Sequence, residues 1–231
     1  MFMAPFQVVT SESTDTIGSF NLMEFIAIQL PTTAGILPGQ TVWKWPSAAD
    51  PNIMWIPQGG SDPLYAPNGN SVIFTAGKNL VMANRADWTA GVFGFYFNVR
   101  CSQALVDNQS MVVHRCLHSA SPFETLKLEL VKNADTLQRA FYRLTATQAN
   151  GTQVQVYNQT EIAVGPLYNV YIEWDGTNIN LTVGLVNASA PCSALMVHDG
   201  IQTLAFNGVN SDNDFIGRLA EVTRYAGTRN P

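Results

Sequence analysis

Apolar and polar residues alternate through most of the chain after residue 70, and this period of two predicts a succession of β-strands. Phe93, Phe95, Phe97 and Val99 line one face of a long strand, with Gly94, Tyr96, Asn98 and Arg100 on the other. Ser71–Thr75 is a short β-branched run, and Met111–Leu117 is a further strand. Leu126, Leu128 and Leu130 then alternate with Lys127 and Glu129. Ala140, Tyr142, Leu144 and Ala146 alternate with Phe141, Arg143 and Thr145, and Asn150-Gly151 turns the chain back into Val154 and Val156. The strongest hairpin signal lies in Pro166–Gly184. There Tyr168, Val170, Ile172 and Trp174 oppose Leu167, Asn169, Tyr171 and Glu173, and Asp175-Gly176 leads into Ile179, Leu181 and Val183. Asp-Gly and Asn-Gly supply the positive φ that tight hairpin turns require. No stretch after residue 70 keeps a 3.6-residue period over three turns. Strands with turns at roughly 8–12-residue intervals predict an all-β domain of two packed antiparallel sheets.

The first 70 residues break this rhythm. They hold eight of the twelve prolines and three of the five tryptophans, Trp43, Trp45 and Trp55. Phe20–Leu30 fits a strand period through Phe20, Leu22, Ile26, Ile28 and Leu30, and a helical one through Leu22, Met23, Ile26 and Leu30. Each tryptophan buries about 150–250 Å² when packed, so the segment does not stand alone in water. Two placements remain open: folded back on the main domain, or extended as an arm docked on a neighbouring subunit through Trp43, Trp45 and Trp55. The expected organisation is an N-terminal extension over 1–70 and a sandwich domain over 71–231.

Composition narrows the function classes. Charged residues make up 13% of the 231 positions and the net charge is −5. The polar surface is therefore built from Asn, Thr, Ser, Gln and Gly, which suits apposition to copies of the same chain or to a larger particle. With no run of Lys or Arg to neutralise phosphates, nucleic-acid binding is not expected. Arg139 and Arg143 read as a solvated strand face. No apolar span of 18 residues occurs, so membrane insertion is not expected either. Cys101, Cys116 and Cys192 follow no disulfide or metal spacing; together with an N-terminus lacking a signal-like apolar region, they imply reduced thiols and synthesis in a cytoplasm.

Three segments carry a family resemblance. Ser71-Val-Ile-Phe-Thr-Ala-Gly77 resembles an early strand, Tyr171-Ile-Glu-Trp-Asp-Gly-Thr-Asn-Ile-Asn-Leu-Thr-Val-Gly184 a penultimate hairpin, and Asp214-Phe-Ile-Gly-Arg-Leu-Ala-Glu-Val-Thr-Arg-Tyr225 the closing strand of concanavalin A-like lectin and glucanase jelly rolls. The laminin-G-like subgroup is the most similar. The resemblance spans roughly residues 71–228 and implies a two-sheet antiparallel jelly-roll sandwich. Fold analogy alone does not carry a function.

Glucanases of this superfamily use a Glu-x-Asp-x-x-Glu strand; here Glu173 and Asp175 are spaced correctly, but position 178 is Asn and the acid is missing. Asp175 is better explained by the turn, and no enzyme activity is expected. Family members also bind calcium, and the loop Asn210-Ser-Asp-Asn-Asp214 offers Asn210, Asp212, Asn213 and Asp214 as oxygen ligands, or is simply a polar turn. His114, Cys116 and His118 would share a strand face and form a soft metal corner, with His198 joining if the fold brings it near, or else a mixed buried face. Ser119 and Ser121 beside His118 lack an orienting acid. Trp88, Tyr157 and Tyr168 are candidates for stacking on sugar rings, if exposed. The functional expectation is a non-enzymatic structural protein of a virus particle, a bacteriophage in the first place. It would be a capsid decoration or a tail or fibre component, with virion proteins and its own copies as partners and host glycans as a contact. The alternative is a free carbohydrate-binding module or lectin.

Overall fold

The computed structural model of the chain describes residues 23–82, 91–118, 124–132, 139–196, 198, 200–205 and 214–228. The first strands are β1 (Met23–Ile26), β2 (Trp45–Pro46), β3 (Met54–Trp55), β4 (Leu64–Tyr65), β5 (Val72–Phe74) and β6 (Leu80–Met82). The body follows as β7 (Phe93–Cys101), β8 (Gln109–Leu117), β9 (Glu124–Lys132), β10 (Ala140–Thr147) and β11 (Gln153–Tyr157). It closes with β12 (Tyr168–Trp174), β13 (Asn178–Val183), β14 (Val186–Pro191), β15 (Gln202–Leu204) and β16 (Gly217–Ala226). One sheet has the order β14-β13-β12-β7-β16-β5-β4, with β1 also paired to β16; a second has the order β11-β10-β9-β8-β15-β6; β2 and β3 form a small ribbon. The strand pairs within these sheets are antiparallel, and the two large sheets stack as a jelly-roll sandwich.

The alternation in the sequence is the inside–outside pattern of the sandwich. Phe93, Phe95, Phe97 and Val99 of β7 are fully buried, as are Leu126 and Leu128 of β9, Tyr142 and Leu144 of β10, and Val170 and Ile172 of β12. Burial of each such side chain contributes about 1.5–3 kcal/mol. The expected hairpins are present: β12 and β13 turn at Gly176 (φ 95°), β10 and β11 at Gly151 (φ 84°). Of Phe20–Leu30, the described part from Met23 follows the strand period first, and helix begins only at its last residue. Met23–Ile26 is strand, a 3-10 turn follows, and a short helix (α1, Leu30–Ala34) begins where Pro31 pre-sets φ in its first turn.

Of the two placements left open for residues 1–70, the described part of the segment takes the folded-back one. From residue 23 onward the N-terminal segment is part of the sandwich: β1 pairs with β16, and β4 pairs with β5. Trp45 and Trp55 face each other in the β2–β3 ribbon and are fully buried. Phe25 packs edge-on against both, with ring centroids 6.3 and 5.9 Å away, and Trp55 lies edge-on to His114 at 6.2 Å. Docking on another subunit is therefore closed to Trp45 and Trp55, because this chain's own core encloses them. Residues 1–22 lie outside the described residues.

The six-stranded sheet also revises the Arg143 reading. Arg143 is no freely solvated side chain: its Nε and Nη2 both donate to Glu129 Oε2, at 3.0 and 2.7 Å, and Glu129 is nearly buried. Lys127 bridges Glu129 and Glu124. Among the described residues no helix is long and apolar enough to cross a membrane.

Candidate functional site

Strand pairing between β12, β7 and β16 assembles a polar and aromatic strip on the outer face of the eight-stranded sheet. Tyr171, Tyr96 and Thr223 lie opposite one another across the three strands, as do Asn169, Asn98 and Glu221, and Glu173, Gly94 and Tyr225. These positions alternate with the core phenylalanines, so their side chains leave the sheet on the side away from the core. The middle row continues through Thr182 of β13 to Asn187 of β14. Five strands at about 4.8 Å spacing make a row about 19 Å long, in which Thr223 and Thr182 are buried, Tyr96 and Tyr171 half-buried and Asn187 exposed.

The centre of the strip is a preorganised cluster. The Tyr96 and Tyr171 rings lie 4.8 Å apart at 33° and are half-buried. Tyr96 donates its hydroxyl proton to Asn169 Oδ1 at 2.9 Å, and Asn98 Nδ2 donates to the same oxygen at 2.8 Å. Burial, partly offset by the hydrogen bond with Asn98 and reinforced by Glu221 and Tyr171, pushes the Tyr96 phenol up to about 12. The phenol therefore stays neutral at physiological pH. At the far end of the strip Thr182 donates to Asn187 Oδ1 at 2.9 Å.

Glu173 and Asp175, tested in the sequence as a hydrolase pair, have separate structural duties. Glu173 accepts a hydrogen bond from the Tyr225 hydroxyl at 2.8 Å and is nearly buried. Asp175 Oδ1 accepts from the Thr177 N–H, the Thr177 hydroxyl and the Asn178 N–H. Slight burial opposes ionisation of Asp175, but these bonds outweigh it and hold the carboxyl well below the usual range. The residue closes the turn.

The remaining candidates are dispersed. Trp43 is 55% exposed, with Lys44 Nζ 4.3 Å from its ring centroid. Tyr157 is 41% exposed, but it sits on edge strand β11 of the other sheet, against Phe141. Tyr168 is half-buried against the core, and its hydroxyl accepts the Ala163 N–H at 2.9 Å, so its ring is not free to stack. Trp88 lies outside the described residues, as do Asn210, Asp212 and Asn213 of the calcium loop. Asp214 is 2% exposed and accepts the Gly77 N–H at 3.2 Å.

The histidine corner forms differently from its sequence spacing. β8 ends at Leu117, and His118, one residue beyond it, is only half-buried while His114 and Cys116 are enclosed. The fold brings Gln202 there instead: His114 Nε2 lies 3.3 Å from Gln202 Oε1 and 3.8 Å from Cys116 Sγ. His198 does come near; its Nδ1 is 2.7 Å from the Leu117 carbonyl oxygen. Burial, opposed by Gln202 and reinforced by His198, lowers His114 to about 3, and burial pushes the Cys116 thiol well up. Both groups are neutral and enclosed, and among the described residues no three His, Cys, Asp or Glu side chains converge as metal ligands.

The alternation places Tyr96 and Asn98 opposite the phenylalanines of β7, and Asn169 and Tyr171 opposite Val170 and Ile172, but does not single them out. Their adjacency depends on pairing β7 with β12, which lie about seventy residues apart.

No protein-family model matches the chain, and no curated protein matches it in sequence. Solved structures do. The binding domain of botulinum neurotoxin DC, in complex with SialylT, has a TM-score of 0.61 at 8% identity, covering 82% of this chain and 48% of that one. Trypanosoma rangeli sialidase in complex with the inhibitor DANA has a TM-score of 0.58 at 10% identity, covering 90% of this chain and 30% of that one. Domain 4 of AbnA, a GH43 extracellular arabinanase from Geobacillus stearothermophilus, in complex with arabinotriose, has a TM-score of 0.54 at 12% identity, covering 90% and 93%. This chain thus spans less than half of the first two and nearly all of the third. At such identities the likeness is one of fold, a lectin-like β-sandwich.

Proposed function

We propose that this chain is a non-enzymatic, lectin-like component of a virus particle that contacts glycans through the outer face of its eight-stranded sheet. The observation that carries the reading is the Tyr96–Tyr171 pair braced by Asn98 and Asn169. Tyrosine rings offer flat apolar faces for the C–H side of a sugar, and the amides offer donors and acceptors to its hydroxyls. Side chains already fixed by mutual hydrogen bonds lose little freedom on binding. Two solved structures of the same fold were determined with SialylT and with arabinotriose. The non-enzymatic reading is supported by Glu173 bonding to Tyr225, Asp175 closing the turn, and Asn178 standing where the glucanase motif has its second acid.

The virion role rests on composition and surface. With 13% charged residues the surface repels its copies weakly, and Trp43, Leu37 and Leu185 stand exposed for contact with other virion proteins. All three cysteines are free thiols, as expected of assembly in a host cytoplasm.

A glycan array probed with the full chain, alongside Tyr96→Ala and Tyr171→Ala, tests the binding face. Binding that both substitutions weaken supports it; a blank array, or binding indifferent to both, refutes it. Mass spectrometry of purified particles tests the location. A folded monomer absent from every particle but bound to glycans would make the chain a free carbohydrate-binding module.

A further inference from the structure

A cavity of about 150 Å³ opens at one end of the sandwich, away from the Tyr96 strip. Its floor is apolar, made by Leu105, Leu130, Ala140 and Ile162. Its rim is polar, made by Gln103, Lys132, Arg139 and Glu161. The wall carrying Glu161 and Ile162 is pinned to both sheets. Ile162 N–H donates to the Ala140 carbonyl of β10 at 2.8 Å, and Gly165 N–H donates to the Cys101 carbonyl of β7 at 3.0 Å. The cavity therefore exists before any ligand arrives, which removes the ordering cost of building it on binding.

We infer that this cavity is a second site, distinct from the sheet face, that takes a single neutral sugar ring. Charge selects the class. Each cation at the rim already has a carboxylate: Lys132 Nζ lies 2.9 Å from Asp107, and Arg139 Nε lies 3.4 Å from Glu161 Oε2. Two cations facing two carboxylates leave the rim with no net charge to draw an anion in, whereas a neutral polyol needs none. The Arg139–Glu161 pair offers N–H donors beside carboxylate acceptors, which suits two neighbouring hydroxyls that both donate and accept. The apolar floor suits the C–H face of the same ring. The volume equals that of about five waters, enough for one ring and too little for two. Cys101 does not make the site reactive: its thiol is buried, burial raises its pKa, and it donates to the Gln103 carbonyl at 2.9 Å.

Saturation-transfer NMR of the full chain tests this with neutral methyl glucoside, galactoside, mannoside and N-acetylglucosaminide, and with methyl glucuronide and inorganic sulfate as charged controls. At least one neutral glycoside is expected to bind. Val164→Trp caps the mouth from a position that is 48% exposed, and Glu161→Gln removes one acceptor from the rim. Each is expected to weaken binding about tenfold or more, a loss of about 1.4 kcal/mol. Made in the Tyr96→Ala background, where the sheet face is disabled, Val164→Trp and Glu161→Gln are expected to remove the saturation transfer that remains, so failure of the sheet-face reading and failure of this one are told apart. A disaccharide carrying the same unit at its non-reducing end shows whether the ring comes free or at a glycan tip, and binding of either supports the site. No neutral glycoside binding, preference for the charged controls, or binding untouched by both Val164→Trp and Glu161→Gln would each overturn it.

Discussion

The Tyr225 hydroxyl reaches Glu173 across Gly94, the residue that lies between them on the central strand of the sheet. The absence of a side chain at position 94 makes the crossing possible: a Cβ there would fall 2.2 Å from the Tyr225 ring. Gly94→Ala is expected to destabilise the fold by about 1–3 kcal/mol through overpacking. Tyr225→Phe keeps the ring and removes one hydrogen bond, and is expected to cost about 1 kcal/mol. Urea unfolding of both variants checks this; an unchanged midpoint for Gly94→Ala would mean that the ring does not occupy that space.

The N-terminal tryptophans are expected to behave as core residues. Trp45→Ala and Trp55→Ala each remove a fully buried indole and are expected to cost about 3–5 kcal/mol. A chain beginning at residue 71 lacks β1, β4 and both indoles, and is expected not to fold cooperatively. Thermal unfolding followed by circular dichroism distinguishes this from a detachable arm, whose removal would leave the transition intact.

Buried His114 gives a signed pH dependence. The unfolded chain protonates this residue near 6.5, the folded one only near 3. Below pH 6.5 the unfolded state therefore binds the extra proton, so stability falls as the pH drops from about 6.5 towards 3. His114→Gln removes this part of the acid sensitivity. The gap in urea midpoint between wild type and variant is expected to narrow between about pH 7 and about pH 4. A constant gap would show that the imidazole is hydrated.

Tyr96 behaves in the opposite sense. Its phenol is raised to about 12 in the folded state against an ordinary value of 10.0, so the unfolded state loses its proton first. The stability it contributes is present below pH 10 and is lost as the pH rises through 12. A spectrophotometric titration comparing wild type with Tyr96→Phe is expected to show one late-ionising phenol missing from the variant.

The sheet face predicts separable effects on glycan affinity. Tyr171→Ala and Asn169→Ala are each expected to weaken binding about tenfold, by loss of a stacking face and of the oxygen that both Tyr96 and Asn98 address. Tyr157→Phe, on the other sheet, is expected to leave binding unchanged. Isothermal titration with a glycan selected on the array measures all three.

Local pattern carried the sequence reading a long way. The Phe93–Val99 alternation, the Asp175-Gly176 and Asn150-Gly151 turns and the all-β class were legible because strand period and turn chemistry act between residues close along the chain. The assignment of Asp175 to a turn was legible for the same reason, since its carboxylate bonds only two and three residues ahead. Partnership between distant strands was not legible. Nothing local says that β1 pairs with β16, that Trp45 and Trp55 meet Phe25 inside the core, or that Gln202 of β15 comes to His114. Nor does sequence spacing place Tyr96 beside Tyr171, or Glu161 over the cavity beside Cys101. Those neighbours are set by sheet order and register, which minimise exposed apolar area over the whole molecule at once. The chain's alternation thus determined which side of a strand each residue takes, and the packed sheets decided which residues meet there.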